Sequence, residues 1–253
     1  MRAEVDGPIG TLVIDNPERR NAMNQEMYAS VGGAARTLLD ADVRVVILRG
    51  AGSEAFGAGS DISEFPERRF GAASADYDRV EHEAWDAIAS LPVPVIASIH
   101  GPCMGGGIAM ALHADVRIAA DDAQFAVPPA RLGIAYPPEA VARLVALVGP
   151  GRAKLMLTTA RVINADTALA YGLVDEVVTP EELDDHVARV ATGIGRLAPL
   201  SVRAAKVTVD SLTTTRTEAG DAAAAVAACY DSNDFREGVQ AFLEKRHPQF
   251  EGN

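Results

Sequence analysis

The sequence of 253 residues holds only two cysteines, Cys103 and Cys229. They lie far apart and outside any Cys-x-x-Cys spacing, which argues against a disulfide framework or a thiolate zinc site and fits a reducing compartment. Basic residues are short as well: 23 lysines and arginines stand against 35 acids, a net charge of −12. That deficit argues against nucleic acid or another polyanion as the main partner. The pairs Arg68-Arg69 and Lys245-Arg246 read as solvated surface charge. Long apolar runs are missing too. None reaches the roughly 18 residues that a membrane span needs, and residues 1–8 lack the apolar stretch of a secretory signal. A soluble cytoplasmic protein with no membrane partner is the expectation. Gly-x-Ser-x-Gly, His-Glu-x-x-His and a P-loop lysine are all absent, so the mechanisms they support lack a footing.

What is present supports one large domain, or a domain with a helical appendage. Short β-rich runs recur at residues 11–14, 44–48, 95–99, 116–119 and 173–178, with helical patterns at 25–39, 77–91 and 108–113. That alternation predicts an α/β architecture. Val141, Leu144, Val145 and Val148 fall at i, i+3, i+4 and i+7 between Pro137-Pro138 and Gly149-Pro150, an amphipathic helix with start and stop signals. After residue 178 the strand signals cease, and 181–197, 199–212, 217–230 and 233–245 all read as helix. This tail either caps its own domain or packs across a subunit interface. Residues 64–75 are charged and aperiodic, which predicts a mobile loop placed to cover a site.

Two glycine-rich turns carry the chemistry. One runs from Gly50 to Ile62 after the apolar run 44–48, and the other from His100 to Gly107 after the run 95–99. Each is a strand end where backbone N–H groups can point outward with no Cβ in the way. Two such groups converging on one oxygen form an oxyanion hole, often the largest single contribution to catalysis. Gly106 would begin a helix, where free N–H groups and the dipole favour an anion. Gly50-x-Gly52-x-x-Ala55 formally matches a dinucleotide fingerprint, but another glycine turn and a charged segment follow it where a helix should open. No nicotinamide cofactor is expected.

In this order and spacing the turns resemble the crotonase (enoyl-CoA hydratase/isomerase) superfamily. The resemblance runs from Asn16-Pro17-Glu18-Arg19-Arg20-Asn21-Ala22-Met23 through Ala55–Ile62, Gly105-Gly106-Gly107 and Ala170-Tyr171-Gly172-Leu173-Val174-Asp175 to residues 237–246. It implies a spiral of ββα turns over residues 1–195 and a C-terminal helical trimerisation region over 196–253. It further implies a homotrimer or dimer of trimers acting on an acyl-CoA thioester, with no metal and no cofactor beyond the substrate's coenzyme A. By motif match the N–H groups of Ser60 and Gly106 would hold the thioester oxygen. Arg20, Ala22, Ala58, Gly59, Asp61 and Ile62 would line the coenzyme groove, and Phe242, Lys245 and Phe250 would reach its nucleotide end, from a neighbouring subunit or the same one.

The resemblance also exposes a gap. Hydratases of the family use two glutamates, and the matching positions here are Ala109 and Pro129, neither able to transfer a proton. The segment from Pro129 to Pro137 is similar to the methylmalonyl-CoA decarboxylase branch, which carries a tyrosine at the position of Tyr136 but a histidine at that of Ser60. Decarboxylation needs no strong base, and a pocket bounded by Ala109, Val127 and Pro129 would solvate a carboxylate poorly. The first expectation is therefore decarboxylation of a short malonyl-type acyl-CoA, with Tyr136 orienting the carboxylate. The second is enoyl-CoA hydration or isomerisation by a relocated acid, Glu139 first, although the helix dipole alone favours a glutamate there. A catalytically silent acyl-CoA binder is the third. Asp61 reads as a residue that fixes turn geometry, and His82, His100 and His113 read as structural.

Overall fold

The computed structural model describes residues 1–71, 73–213 and 217–253. The chain opens with a hairpin, β1 (Arg2–Asp6) and β2 (Ile9–Ile14), followed by α1 (Gln25–Asp40) and β3 (Val45–Gly50). After the first glycine turn come α2 (Phe65–Arg68), α3 (Ala73–Ala89) and β4 (Val95–Ile99). The second turn contains β5 (Pro102–Met104) and feeds α4 (Gly106–Leu112), β6 (Val116–Ala120) and β7 (Gln124–Ala126). Then follow α5 (Pro138–Thr159), β8 (Ile163–Asn164), α6 (Ala165–Tyr171) and β9 (Glu176–Val178). Four helices complete the chain: α7 (Pro180–Gly195), α8 (Pro199–Thr213), α9 (Ala219–Asp231) and α10 (Asn233–Glu244).

The large sheet has the order β1-β2-β3-β4-β6-β9, parallel except for the opening hairpin, and the small one has the order β5-β7-β8. Twice in succession the chain gives one strand to the large sheet, one to the small sheet and then a helix: β4-β5-α4 and β6-β7-α5. Alternate strand residues face opposite sides. Val46, Leu48, Ala97, Ile99 and Ala119 join the main core with Val31, Leu38 and Trp85 of α1 and α3. Val45, Ile96, Ile118 and Ala120 pack against Leu183, Val187 and Ala191 of α7. With both faces covered, these strands read as continuous apolar runs. No helix among the described residues is long and apolar enough to cross a membrane.

Four expectations are corrected. Residues 64–75 are mostly helical: Pro66 sits in the first turn of α2, and α3 begins at Ala73 (Ala72 lies outside the described residues). Part of the charge that makes this stretch look solvated is paired across to α3, for Arg69 binds both Asp78 and Glu81, while Glu67 and Arg68 stay exposed. Arg69 is therefore a site residue and no solvated surface charge. Gly149 does break its helix, at φ 78° and ψ 162°, but Pro150 then opens a further helical run to Thr159. The strand expected over 173–178 is confined to Glu176–Val178 because left-handed Gly172 ends α6 just before it.

The tail is tied down by Arg246, whose guanidinium grips Glu237 at 2.6 and 2.8 Å, while the Gln249 N–H donates to the same carboxylate at 2.8 Å. The Arg246 hydrogen bonds, then that of the Gln249 amide, hold Glu237 at about 2, below its ordinary 4.5. A depressed folded value means that the carboxylate favours this tail above the ordinary range and that the contribution is lost as pH falls through about 2. A carbon-detected NMR titration of Glu237 is expected to show that low midpoint; one above about 4 would show that the clamp does not form.

Candidate active site

Both glycine turns leave the carboxyl ends of the neighbouring parallel strands β3 and β4, where open α/β sheets commonly bind ligands. Backbone bonds join the turns directly. The Phe56 N–H donates to His100 O at 2.8 Å, the Gly57 N–H to Pro102 O at 3.0 Å, and the Met104 N–H to Gly57 O at 2.9 Å. Contact is too close for side chains: a Cβ on Gly107 would stand 2.4 Å from Gly57 O, and one on Gly106 would stand 2.3 Å from the Tyr28 hydroxyl.

Ser60 is bracketed by bonds from the Met23 N–H to Gly59 O and from the Asp61 N–H to Met23 O, and its own N–H takes part in neither. Gly106 is the first residue of α4, so its N–H has no intrahelical acceptor. Both residues line one cleft together with Arg69, Glu81, Trp85 and Tyr136.

Glu81 is the acid that the sequence reading missed. Its side chain is only 4% exposed, yet it forms part of the cleft wall. Ser60 Oγ donates to Glu81 Oε1 at 2.7 Å, and the Tyr28 hydroxyl lies 3.1 Å from the same Oγ. Because the single serine proton is spent on Glu81, Tyr28 is the donor to Ser60. Arg69 Nη1 reaches Oε1 at 3.1 Å and Nη2 reaches Oε2 at 3.0 Å. The guanidinium also lies over the rings of Phe65 and Tyr77. Burial opposes the Arg69 charge, but hydrogen bonds and the charges of Glu81 and Asp78 outweigh it and raise Arg69 above the ordinary guanidinium range. One signal in the sequence marks Glu81. Tyr77, Val80, Ala84, Trp85 and Ile88 form the buried stripe of α3, and Glu81 is the charged residue inside that stripe.

The other expected residues fall into three places. Ala58, Gly59 and Ile62 line the cleft, and Arg20 joins them through the Ala58 N–H to Arg20 O bond of 2.9 Å. Ala22 offers its carbonyl to Asn16 Nδ2 at 2.8 Å. Asp61 accepts from Ser63 N and pairs with Arg19 at 2.6 Å. Desolvation works against its charge, but the Ser63 and Arg19 interactions prevail and lower Asp61 below the ordinary value.

Tyr136 lines the cleft, but its hydroxyl donates to Gly105 O at 2.9 Å. Burial first, then Cys103 and Glu81, push its phenol well above the ordinary range. Glu139 is outside the lining and stands 3.5 Å from His113 Nε2. His113 itself stacks on Trp85 and bonds Ala109 O at 2.6 Å. Ala109 and Val127 are fully buried beneath the wall that Pro129 lines, so they do not bound the cleft as expected. Phe242 and Phe250 belong to a separate groove between α8, α9 and α10, and Lys245 caps α10; this chain does not bring them to its own cleft.

Two glycine turns at neighbouring strand ends, above a cleft whose described lining holds one carboxylate, make an arrangement that can stabilise a negative oxygen. Comparison with known proteins gives the family. The model for enoyl-CoA hydratase/isomerase matches residues 4–253. The crotonyl-CoA hydratase of Syntrophomonas wolfei is 35% identical, covering 98% of this chain and 96% of its own. The carnitinyl-CoA dehydratase of Salmonella arizonae is 34% identical, covering 100% and 98%. The crystal structure of an enoyl-CoA hydratase/carnithine racemase from Magnetospirillum magneticum superposes with a TM-score of 0.92 at 35% identity, covering 99% of this chain and 95% of that one. The chain belongs to the enoyl-CoA hydratase/isomerase family, within the crotonase superfamily, and has its mixed α/β fold.

The contact at Gly106 gives a direct prediction. Gly106→Ala is expected to cost about 1–3 kcal/mol in chemical denaturation, as overpacking does. Adding Tyr28→Phe, which removes the clashing oxygen, should recover part of that loss. Strict additivity of the two changes would show that they do not touch.

Proposed function

We propose that this enzyme acts on the thioester of a short enoyl-CoA, drawing its electrons into an enolate oxygen held by the N–H groups of Ser60 and Gly106. On this reading it adds water across the double bond or moves that bond. The meeting of two outward-facing amide turns with one buried carboxylate in a shared cleft carries the proposal. An amide donor of this kind is typically worth about 10²–10³ in rate. Arg20, Ala22, Ala58, Gly59, Asp61 and Ile62 line the coenzyme groove at the cleft rim, and Tyr136 acts by holding the Gly105 carbonyl next to the Gly106 amide.

Decarboxylation of a malonyl-type acyl-CoA is not supported. The relatives above carry hydratase and dehydratase names. Incubation with crotonyl-CoA should remove the enoyl absorbance, while methylmalonyl-CoA should release no CO₂. Release of CO₂ without enoyl turnover would reinstate decarboxylation, and thioester binding without turnover would make the chain a binder.

Residues 1–195 form the site-bearing core on this reading, and residues 196–253 assemble homotrimers or dimers of trimers. Phe242, Leu243 and Tyr230 are 83%, 74% and 69% exposed and line one groove on the C-terminal helices, a patch that supports burial against a second copy. Phe242, Lys245 and Phe250 would then complete the coenzyme groove of a neighbour. Sedimentation should give a trimer or hexamer, and Phe242→Asp with Leu243→Asp should dissociate it. A wild-type monomer would overturn this part of the proposal.

A further inference from the structure

We infer that Glu81 is the acid–base residue of this site, doing from α3 the proton transfer that Ala109 and Pro129 cannot do. The inference rests on the enoyl-thioester reading above. Among the described residues, Glu81 is the one carboxylate that lines the cleft. Ser60 connects it to the chemistry, since the residue whose N–H faces the thioester oxygen also donates its Oγ–H to Glu81 Oε1 at 2.7 Å. The carboxylate thus stands one serine side chain from the oxyanion site. Tyr136 is committed to Gly105 O, and Glu139 lies against His113 outside the lining.

Arg69 is the partner of this carboxylate. Burying a carboxylate with no partner is costly. The guanidinium pairs with both of its oxygens, at 3.1 and 3.0 Å. Oε1 accepts from Ser60 and Arg69, whereas the described bonds to Oε2 come from Arg69 alone. Each carboxylate oxygen accepts about two hydrogen bonds, so Oε2 keeps a direction open for a substrate or water proton.

Glu81 takes a proton from water as the water oxygen bonds to the β-carbon of the enoyl thioester. The double-bond electrons move onto the thioester oxygen, held by the Ser60 and Gly106 amides. Glu81 then returns the proton to the α-carbon as the enolate collapses, leaving a 3-hydroxyacyl thioester and the original carboxylate.

Glu81→Gln should lower kcat on crotonyl-CoA by about 10²–10⁴, with affinity for unreactive butyryl-CoA held within about threefold. Arg69→Met keeps the carboxylate but removes the partner that orients it, so kcat on crotonyl-CoA should fall while butyryl-CoA affinity holds within about threefold. The groups facing Glu81 are Tyr28 from α1, Ser60, Arg69, Tyr77 and Asp78 beside it on α3, and Tyr136. Burial raises all three tyrosine phenols further above their ordinary value. A merely structural ion pair would leave kcat unchanged in both variants.

Should Glu81→Gln alone unfold, the neutral Glu81→Gln/Arg69→Met pair decides: folded, thioester-binding and silent supports the role, and active overturns it. Wild-type turnover with Glu81→Gln within about threefold overturns the assignment alone, as does loss of activity in Glu139→Gln but not in Glu81→Gln. A wild-type chain inert toward enoyl thioesters defeats the underlying reading instead.

Discussion

The contact of one glycine turn on the other is the constraint from which the rest of this site follows. Gly57 and Gly107 meet backbone to backbone, and even a methyl group on Gly107 would fall 2.4 Å from a carbonyl oxygen. Because β3 and β4 are adjacent and parallel, both turns emerge on the same side of the large sheet. The hydrogen bonds among Phe56, Gly57, His100, Pro102 and Met104 then fix their relative position. Two amides are brought to one cleft with no side chain choosing their direction. Preorganisation of this kind is what makes such donors effective, since nothing must reorient as charge develops.

Around that backbone frame the polar side chains form a single connected chain, Tyr28 to Ser60 to Glu81 to Arg69 to Asp78. Burying an ion pair costs several kcal/mol per ion before attraction repays it, so the pair is weak evidence for stability. Its position beside Ser60 is the better reason for its presence. The pair also explains why the segment after the first turn is ordered into α2 and the start of α3, since Arg69 is held by a bidentate carboxylate and two aromatic rings.

The parts of the fold legible in the sequence were those governed by local periodicity. Strand 95–99 and the helices from 199 onward stand close to where their apolar patterns place them. The glycine turns were legible because close backbone approach leaves few alternatives to glycine. Segment 64–75 was not, because charge in a sequence does not reveal whether its partner is water or a carboxylate 12 residues away. Glu81 was hidden for the same reason. Its place within the stripe of Tyr77, Val80, Ala84 and Trp85 marks it as buried, but its partners lie 21 and 12 residues earlier, Ser60 within the first turn and Arg69 just after α2. Tyr136 misled in the opposite way: a cleft position was foreseeable, but the commitment of its hydroxyl to Gly105 O depends on tertiary contact.

This division has a physical logic. An oxyanion site made of peptide N–H groups survives any side-chain change that leaves the turns packed, so the fold preserves the kind of intermediate. Proton transfer belongs to side chains, and a carboxylate can be supplied from any element whose reach ends near the α- and β-carbons. The absence of acids at 109 and 129 therefore does not empty the site, provided that another element supplies a carboxylate and a cation to pair with it. In this chain α3 supplies Glu81 and the stretch just after α2 supplies Arg69. The carboxylate and the segment that precedes α3 thereby become one unit, since Arg69 holds Glu81 through both of its oxygens.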